Sequence, residues 1–305
     1  MSSLIETVYG GLPPQPLNTS AQLLHQHIAS QQYPALAAGT VTESWRVCAG
    51  DGISFLLQIT LPPNVAPRNI IVCGDACWRT IPEVVLQTLL SRGHALALFN
   101  RTEIAPDPTP EMAMARQAPI YAAHPERHFG AISAWAWGFQ RCVDALHSMP
   151  NLAGVPICVT GHSRGGKAAL LAGATDARIA TTHANNAGVL GSGAYHQLGE
   201  GSETWQALVR AYPHWVGPAL RDLEAAGAPL AFEQDALLSA IAPRSLLITQ
   251  ALDDLWANPS GTAAIVQALQ KHAPSQRIAL VNRAGGHAMQ ATDWFALFDF
   301  LDDKK

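Results

Sequence analysis

Short apolar runs alternate with helix-length amphipathic segments over most of this chain, and that alternation limits its fold more than any other feature. Ile53–Leu61, Asn69–Cys73, Ala95–Phe99, Pro156–Thr160, Arg178–His183, Ser245–Thr249 and Arg277–Val281 read as strands. Ile81–Arg92, Gly130–Met149, Arg164–Thr175, Ser260–His272 and Thr292–Leu301 carry helical spacing between them. Strands separated by helices need right-handed crossovers, so the pattern predicts a mostly parallel sheet with helices on both faces. Residues 1–42 show helical spacing at Leu23, Leu24 and Ile28 and are expected to form an extension packed on a single α/β domain spanning 43–305. The rhythm lapses over about 188–230, where glycines and prolines surround Trp205, Tyr212 and Trp215; an irregular stretch this long, with aromatics, predicts a packed, lid-like insertion.

Composition narrows the function. With 305 residues, 48% of them hydrophobic, the chain can bury one large core. A formal net charge of -4 gives no basic footprint for nucleic acid, and no apolar run reaches the roughly 18 residues of a membrane span. Five cysteines cannot all pair, and Cys73 and Cys158 fall in expected core strands, so packed thiols and a reducing compartment are expected. The first residues lack a basic region followed by an apolar run, which points to a cytoplasmic protein, or a periplasmic or secreted one if a leader has been removed. His124 and His128 are spaced like a helical metal pair, but Pro125 lies between them and no third ligand is near, so neither a metal nor a cofactor is expected. Oligomeric state is left open.

Gly161-His162-Ser163-Arg164-Gly165 fits G-x-S-x-G directly between the buried run PICVT and the helix RGGKAALLAGAT. That is the context of a nucleophile elbow, in which a sharp strand-to-helix turn lifts a serine out of the sheet and leaves no room for side chains on either flank. Serine needs an adjacent base, itself oriented by a carboxylate. In the α/β-hydrolase fold the partners follow in the order serine, acid, histidine. His287, in the glycine-rich loop after the last strand, is the expected base. The acid should follow the strand LLIT, where Asp253 and Asp254 are adjacent and point in different directions; the distance to Pro259 and the next helix favours Asp254, with Asp253 second. One oxyanion donor is the backbone N–H of Arg164, and the other should come from Gly74–Cys77. Arg164 and Lys167 sit on the first helical turn, where cations oppose the helix dipole. An anionic substrate would explain them, as would a salt bridge to a carboxylate of the irregular stretch such as Glu200 or Glu203. Trp135 and Trp137 read as core or support residues, and Trp256 either stacks on a sugar or packs in the core.

The segment VTGHSRGGKAALLAGATDARIA, with GAISAWAWGFQR before it and LLSAIAPR, DDLWANP and GGH after it, resembles bacterial glucuronoyl esterases and their acetylxylan-esterase-like relatives over about residues 70–300. The resemblance to this carbohydrate esterase family implies attack on the ester of a sugar uronic acid. It also implies an Arg164 side chain that helps hold the oxyanion, and Lys167 and Trp256 in contact with the sugar. Where many members carry the catalytic carboxylate, just after the strand following the nucleophile helix, this chain has Asn186, and a familiar histidine position holds Asp235. The expected function is therefore a serine carboxylic ester hydrolase working through an acyl-enzyme on a carbohydrate ester. An esterase for acetyl, lactone or other small acyl groups is one alternative, and a catalytically silent ligand-binding homologue another.

Overall fold

A computed structural model describes residues 1–31, 36–50, 52–78, 81–108 and 118–303. Among the described residues, nine strands form one sheet in the order β1-β2-β3-β5-β4-β6-β7-β8-β9: β1 Ser20–Ile28, β2 Val41–Cys48, β3 Ser54–Leu61, β4 Ile70–Cys73, β5 Ala95–Phe99, β6 Ile157–His162, β7 Ile179–Asn185, β8 Ser245–Ala251 and β9 Ile278–Arg283. Strands β4 to β9 run parallel and β1 to β3 antiparallel, which is the α/β-hydrolase arrangement. Ala131–Ser148 and Arg164–Thr175 cover one face of the sheet, and Glu83–Ser91 and Ala291–Asp302 the other, each against its own apolar cluster. Trp135 and Trp137 are fully buried, their indoles donating to the Ala105 and Pro14 carbonyls.

The N-terminal segment differs from the expected helical extension. Ser20–Ile28 is an edge strand paired along β2, and β2 begins at Val41, so a boundary at 42/43 falls inside a strand. The helical spacing of Leu23, Leu24 and Ile28 comes from a bulge: the register shifts between Leu23 and His25, which leaves Leu24 without an opposite partner. All five cysteines are free thiols, with Cys73, Cys142 and Cys158 buried. Among the described residues, no helix is long and apolar enough to cross a membrane.

Residues 188–230 fold into helix Trp205–Ala211, a 3-10 turn Pro213–Trp215 and helix Pro218–Ala225, with Trp205 and Trp215 buried. Tyr212 stacks on Trp215 with ring centroids 4.0 Å apart. The segment is a packed aromatic wall.

Candidate active site

The turn around Ser163 is set by what crowds its two glycines. Ser163 adopts φ 53°, ψ -120°, a strained region for a residue with a side chain that persists only where the surroundings over-determine it. Its N–H donates to the Asn185 carbonyl (2.8 Å), and the N–H of His162 donates to the Asp75 carboxylate (2.8 Å). A side chain at Gly161 would meet the backbone of Gly165, and one at Gly165 would meet the Asp75 carboxylate. Asp75 also pairs with the buried Arg101, whose guanidinium lies over Trp78 at 4.4 Å and Trp135 at 5.1 Å. Burial pushes the Asp75 carboxyl up, and Arg101 opposes it.

His287 arrives from the loop after β9. Its Nδ1 bonds Asp254 Oδ2 at 2.6 Å; the imidazole is 46% exposed and the carboxylate 6%. A proton on Nδ1 leaves the Nε2 lone pair free to act as a base. Asp253 points elsewhere: its Oδ2 accepts the Gly285 N–H (2.7 Å) and its own N–H donates to the Gly285 carbonyl (3.2 Å). The two aspartates therefore hold one loop at different points, the ring and the backbone. Arg283 adds a bond to the Ala288 carbonyl (2.6 Å). Beside His287 lies His162, ring centroids 4.7 Å apart, with its Nδ1 on Asn185 Oδ1 at 2.7 Å. Burial and the neighbouring His287 pull His162 down to about 4, so it stays neutral near pH 7.

Ser163, Arg164, His162 and His287 line one cavity of about 840 Å³, together with Asp75 and Ala76 from the loop expected to complete the oxyanion hole. The cavity continues across the sheet face, with Leu86, Leu96, Leu98 and Thr60 among its walls. Residues of the 188–230 wall are absent from its described lining, and the aromatics Tyr212 and Trp215 of that wall pack around Arg164.

The two cations on the elbow helix part company. The Arg164 guanidinium pairs with Asp107 (2.8 Å) and lies over the Trp215 ring at 4.8 Å and the Tyr212 ring at 5.4 Å. Its Nε has no hydrogen-bond partner among the described residues. Asp107 also accepts from Trp215 Nε1 (2.8 Å) and contacts His214 Nε2 (3.2 Å). Burial pushes the Asp107 carboxyl up, but these hydrogen bonds outweigh it and hold it at about 2. The carboxylate partner of Arg164 thus comes from the loop after β5, and the irregular stretch supplies aromatic rings instead of Glu200 or Glu203. Lys167 is buried, and its ammonium donates to the carbonyls of Ala187 (2.6 Å) and Val189. It is not among the residues that line this cavity, whereas Arg164 is. Burial pulls Lys167 down to about 8, with the Glu203 charge opposing.

Trp256 is 56% exposed, which removes core packing as its role. Its carbonyl accepts the N–H of Glu203 (3.0 Å). Glu203 is buried and raised by that burial, with Lys167 the strongest opposing charge. Asp107 carries no site signal in the sequence, which marks Asp75 only through the backbone of its loop, not for its carboxylate; they meet the elbow from 57 and 87 positions away.

Sheet order and elbow define an α/β hydrolase. The sequence profile of the family described as glucuronyl esterase, fungi, matches residues 47–272, and the chain belongs to that family. Among relatives, the 4-O-methyl-glucuronoyl methylesterase 1 of Wolfiporia cocos is 28% identical over 261 residues, 82% of this chain and 59% of that protein. The 4-O-methyl-glucuronoyl methylesterase of Hypocrea jecorina is 30% identical over 221 residues, 69% of this chain and 45% of that protein. The chain thus spans about half the length of these relatives. A carbohydrate esterase family 15 glucuronoyl esterase from Caldicellulosiruptor kristjansonii superposes with TM-score 0.77 at 26% identity, covering 99% of this chain and 82% of that one. A promiscuous esterase of the same family from a marine bacterial metagenome reaches TM-score 0.82 at 22% identity, covering 98% and 89%, a likeness of fold.

Proposed function

We propose that the chain is a serine carboxylic ester hydrolase that cleaves a glucuronate ester of a carbohydrate through an acyl-enzyme. Ser163 Oγ attacks the carbonyl carbon while His287 Nε2 takes its proton, and Asp254 orients and stabilises the imidazolium. The oxyanion is met by the Arg164 N–H at the start of its helix and by the Arg164 side chain, whose Nε is unpartnered among the described residues. Protonation of the leaving alkoxide by His287 frees the alcohol, and water then cleaves the acyl-enzyme by the same steps. The sugar lies beside the exposed Trp256 and the alcohol portion in the cavity; Lys167, seated on two carbonyls, reaches the sugar only by leaving them. Five free thiols support a reducing compartment.

One observation carries the reading: a strained serine and a histidine held by a buried carboxylate line one cavity in a chain of the glucuronyl esterase family. The seating of Lys167 on two backbone carbonyls favours a second reading, an esterase for smaller acyl groups, because it turns a sugar contact inward. A panel of benzyl glucuronate, acetylated sugars and p-nitrophenyl acyl esters separates the two by kcat/KM. Ser163→Ala should lose both turnover and labelling by a fluorophosphonate probe; retention of more than about a hundredth of wild-type kcat would remove Ser163 from the role. A wild-type protein neither labelled nor active on any ester would be the silent homologue.

A further inference from the structure

His287 follows two glycines, and its ring is half exposed, so side-chain packing alone does not fix where the imidazole stands. Its backbone is instead tied from β7. Asn186, directly after that strand, is buried and left-handed at φ 45°. Its N–H donates to the Thr249 carbonyl (3.0 Å), its Oδ1 accepts the Ala251 N–H (2.7 Å), and its Nδ2 donates to the His287 carbonyl (2.7 Å). A backbone N–H can only donate and a carbonyl only accept, so this pair of partners fixes which way the amide faces. Ala251 ends the strand that leads into Asp254. One residue earlier than Asn186, the Asn185 carbonyl holds the Ser163 N–H.

We propose that Asn186 is a positioning residue for the reaction: its amide sets the His287 backbone against the strand that delivers Asp254, and the position demands a group that donates and accepts at once. The inference rests on the assignment of Ser163, Asp254 and His287. A carboxylate here could accept from Ala251, but it would face the His287 carbonyl with no proton between the two oxygens, and Asn186 itself is buried, which makes the clash costly. The position is therefore occupied by a working amide, and a carboxylate placed there displaces the base instead of supplying a second acid.

Asn186→Asp is close in size and keeps the tolerance for left-handed backbone. On both benzyl glucuronate and p-nitrophenyl acetate, it should lose about a hundredfold in kcat near pH 8 with little change in KM. As the pH falls towards about 5, the introduced carboxyl gains a proton that it can donate to the His287 carbonyl, so the activity ratio of variant to wild type should climb. Asn186→Gly, which keeps the backbone conformation and loses both side-chain bonds, should show a deficit whose ratio to wild type is flat with pH. A flat ratio for Asn186→Asp, wild-type activity in that variant at pH 8, or restoration of an Asp254→Asn enzyme by it overturns the proposal. If Asn186→Asp does not fold, wild-type kcat in Asn186→Gly overturns it equally. Ser163→Ala runs alongside: activity surviving there defeats the triad assignment, a separate failure from that of Asn186.

Discussion

Replacing Asp254 by Asn tests the charge relationship at the centre of the site. The carboxylate bonds His287 Nδ1 at 2.6 Å and is 6% exposed, so solvent cannot take its place. In the proposed mechanism it fixes the tautomer with Nδ1 protonated and stabilises the imidazolium formed as Ser163 attacks. Asparagine can keep the contact with either of two groups: its oxygen preserves the tautomer without the charge, and its NH2 forces the proton onto Nε2, where the ring cannot accept from serine. Loss of charge and of part of the correct tautomer population should cost on the order of 10³–10⁴ in kcat. At about 1.4 kcal/mol per tenfold, that is roughly 4–5.5 kcal/mol of transition-state stabilisation. Asp253→Asn provides the contrast, because an amide oxygen still accepts the Gly285 N–H and no ring is involved; its loss should stay within about tenfold. Saturating initial rates on benzyl glucuronate read kcat, and circular dichroism melts establish that both variants are folded. An Asp254→Asn enzyme within tenfold of wild type, or a larger loss for Asp253→Asn, refutes the assignment of the acid.

The remaining predictions concern the two cations. Arg164→Ala should lower kcat by about 10² or more on glucuronate and p-nitrophenyl esters alike, since its side chain is read as meeting the oxyanion; an effect confined to one substrate class contradicts that role. Lys167→Met should raise KM for glucuronate esters and leave that for p-nitrophenyl acetate nearly unchanged, and equal small effects on both remove the uronate contact. Burial holds Lys167 at about 8, below its ordinary 10.5, so its charge is present below that pH and lost as pH rises through it. KM for glucuronate esters should accordingly climb above about pH 8 in the wild type and stay level in Lys167→Met; a parallel rise in both proteins assigns the change elsewhere. The stability sign is opposite. The unfolded chain holds the Lys167 proton more tightly between about 8 and 10.5, so this group makes the fold more stable as pH rises across that window, and urea melts of wild type against Lys167→Met at its two ends measure the difference.

Parts of the molecule governed by near neighbours in sequence can be read without coordinates. Gly161 is required because the backbone of Gly165 and Gly166 crowds it, and that part of the crowding is written into neighbouring residues, while the Asp75 carboxylate that crowds Gly165 comes from the loop after β4. The Asp253–Asp254 pair declares by adjacency that only one member can face the imidazole. The central strands are legible because both their faces are buried and they appear as continuous apolar runs, as in β4 with all four residues buried. Strand β1 is not: it sits at the sheet edge with nearly every side chain exposed, and its bulge at Leu24 shifts the alternation into a helical spacing. The same distinction runs through the site. Arg164 and Lys167 lie one turn apart, but their partners, Asp107 from the loop after β5 and the carbonyls of Ala187 and Val189 after β7, lie well outside that turn. Helical periodicity fixes the side of the helix on which a cation starts, while what it reaches depends on loops delivered by other strands. Asn186 is the sharpest case. As an amide in place of an expected carboxylate it reads as a loss, and its two partners lie 65 and 101 positions away; only their opposite hydrogen-bonding demands turn that asparagine into a required group.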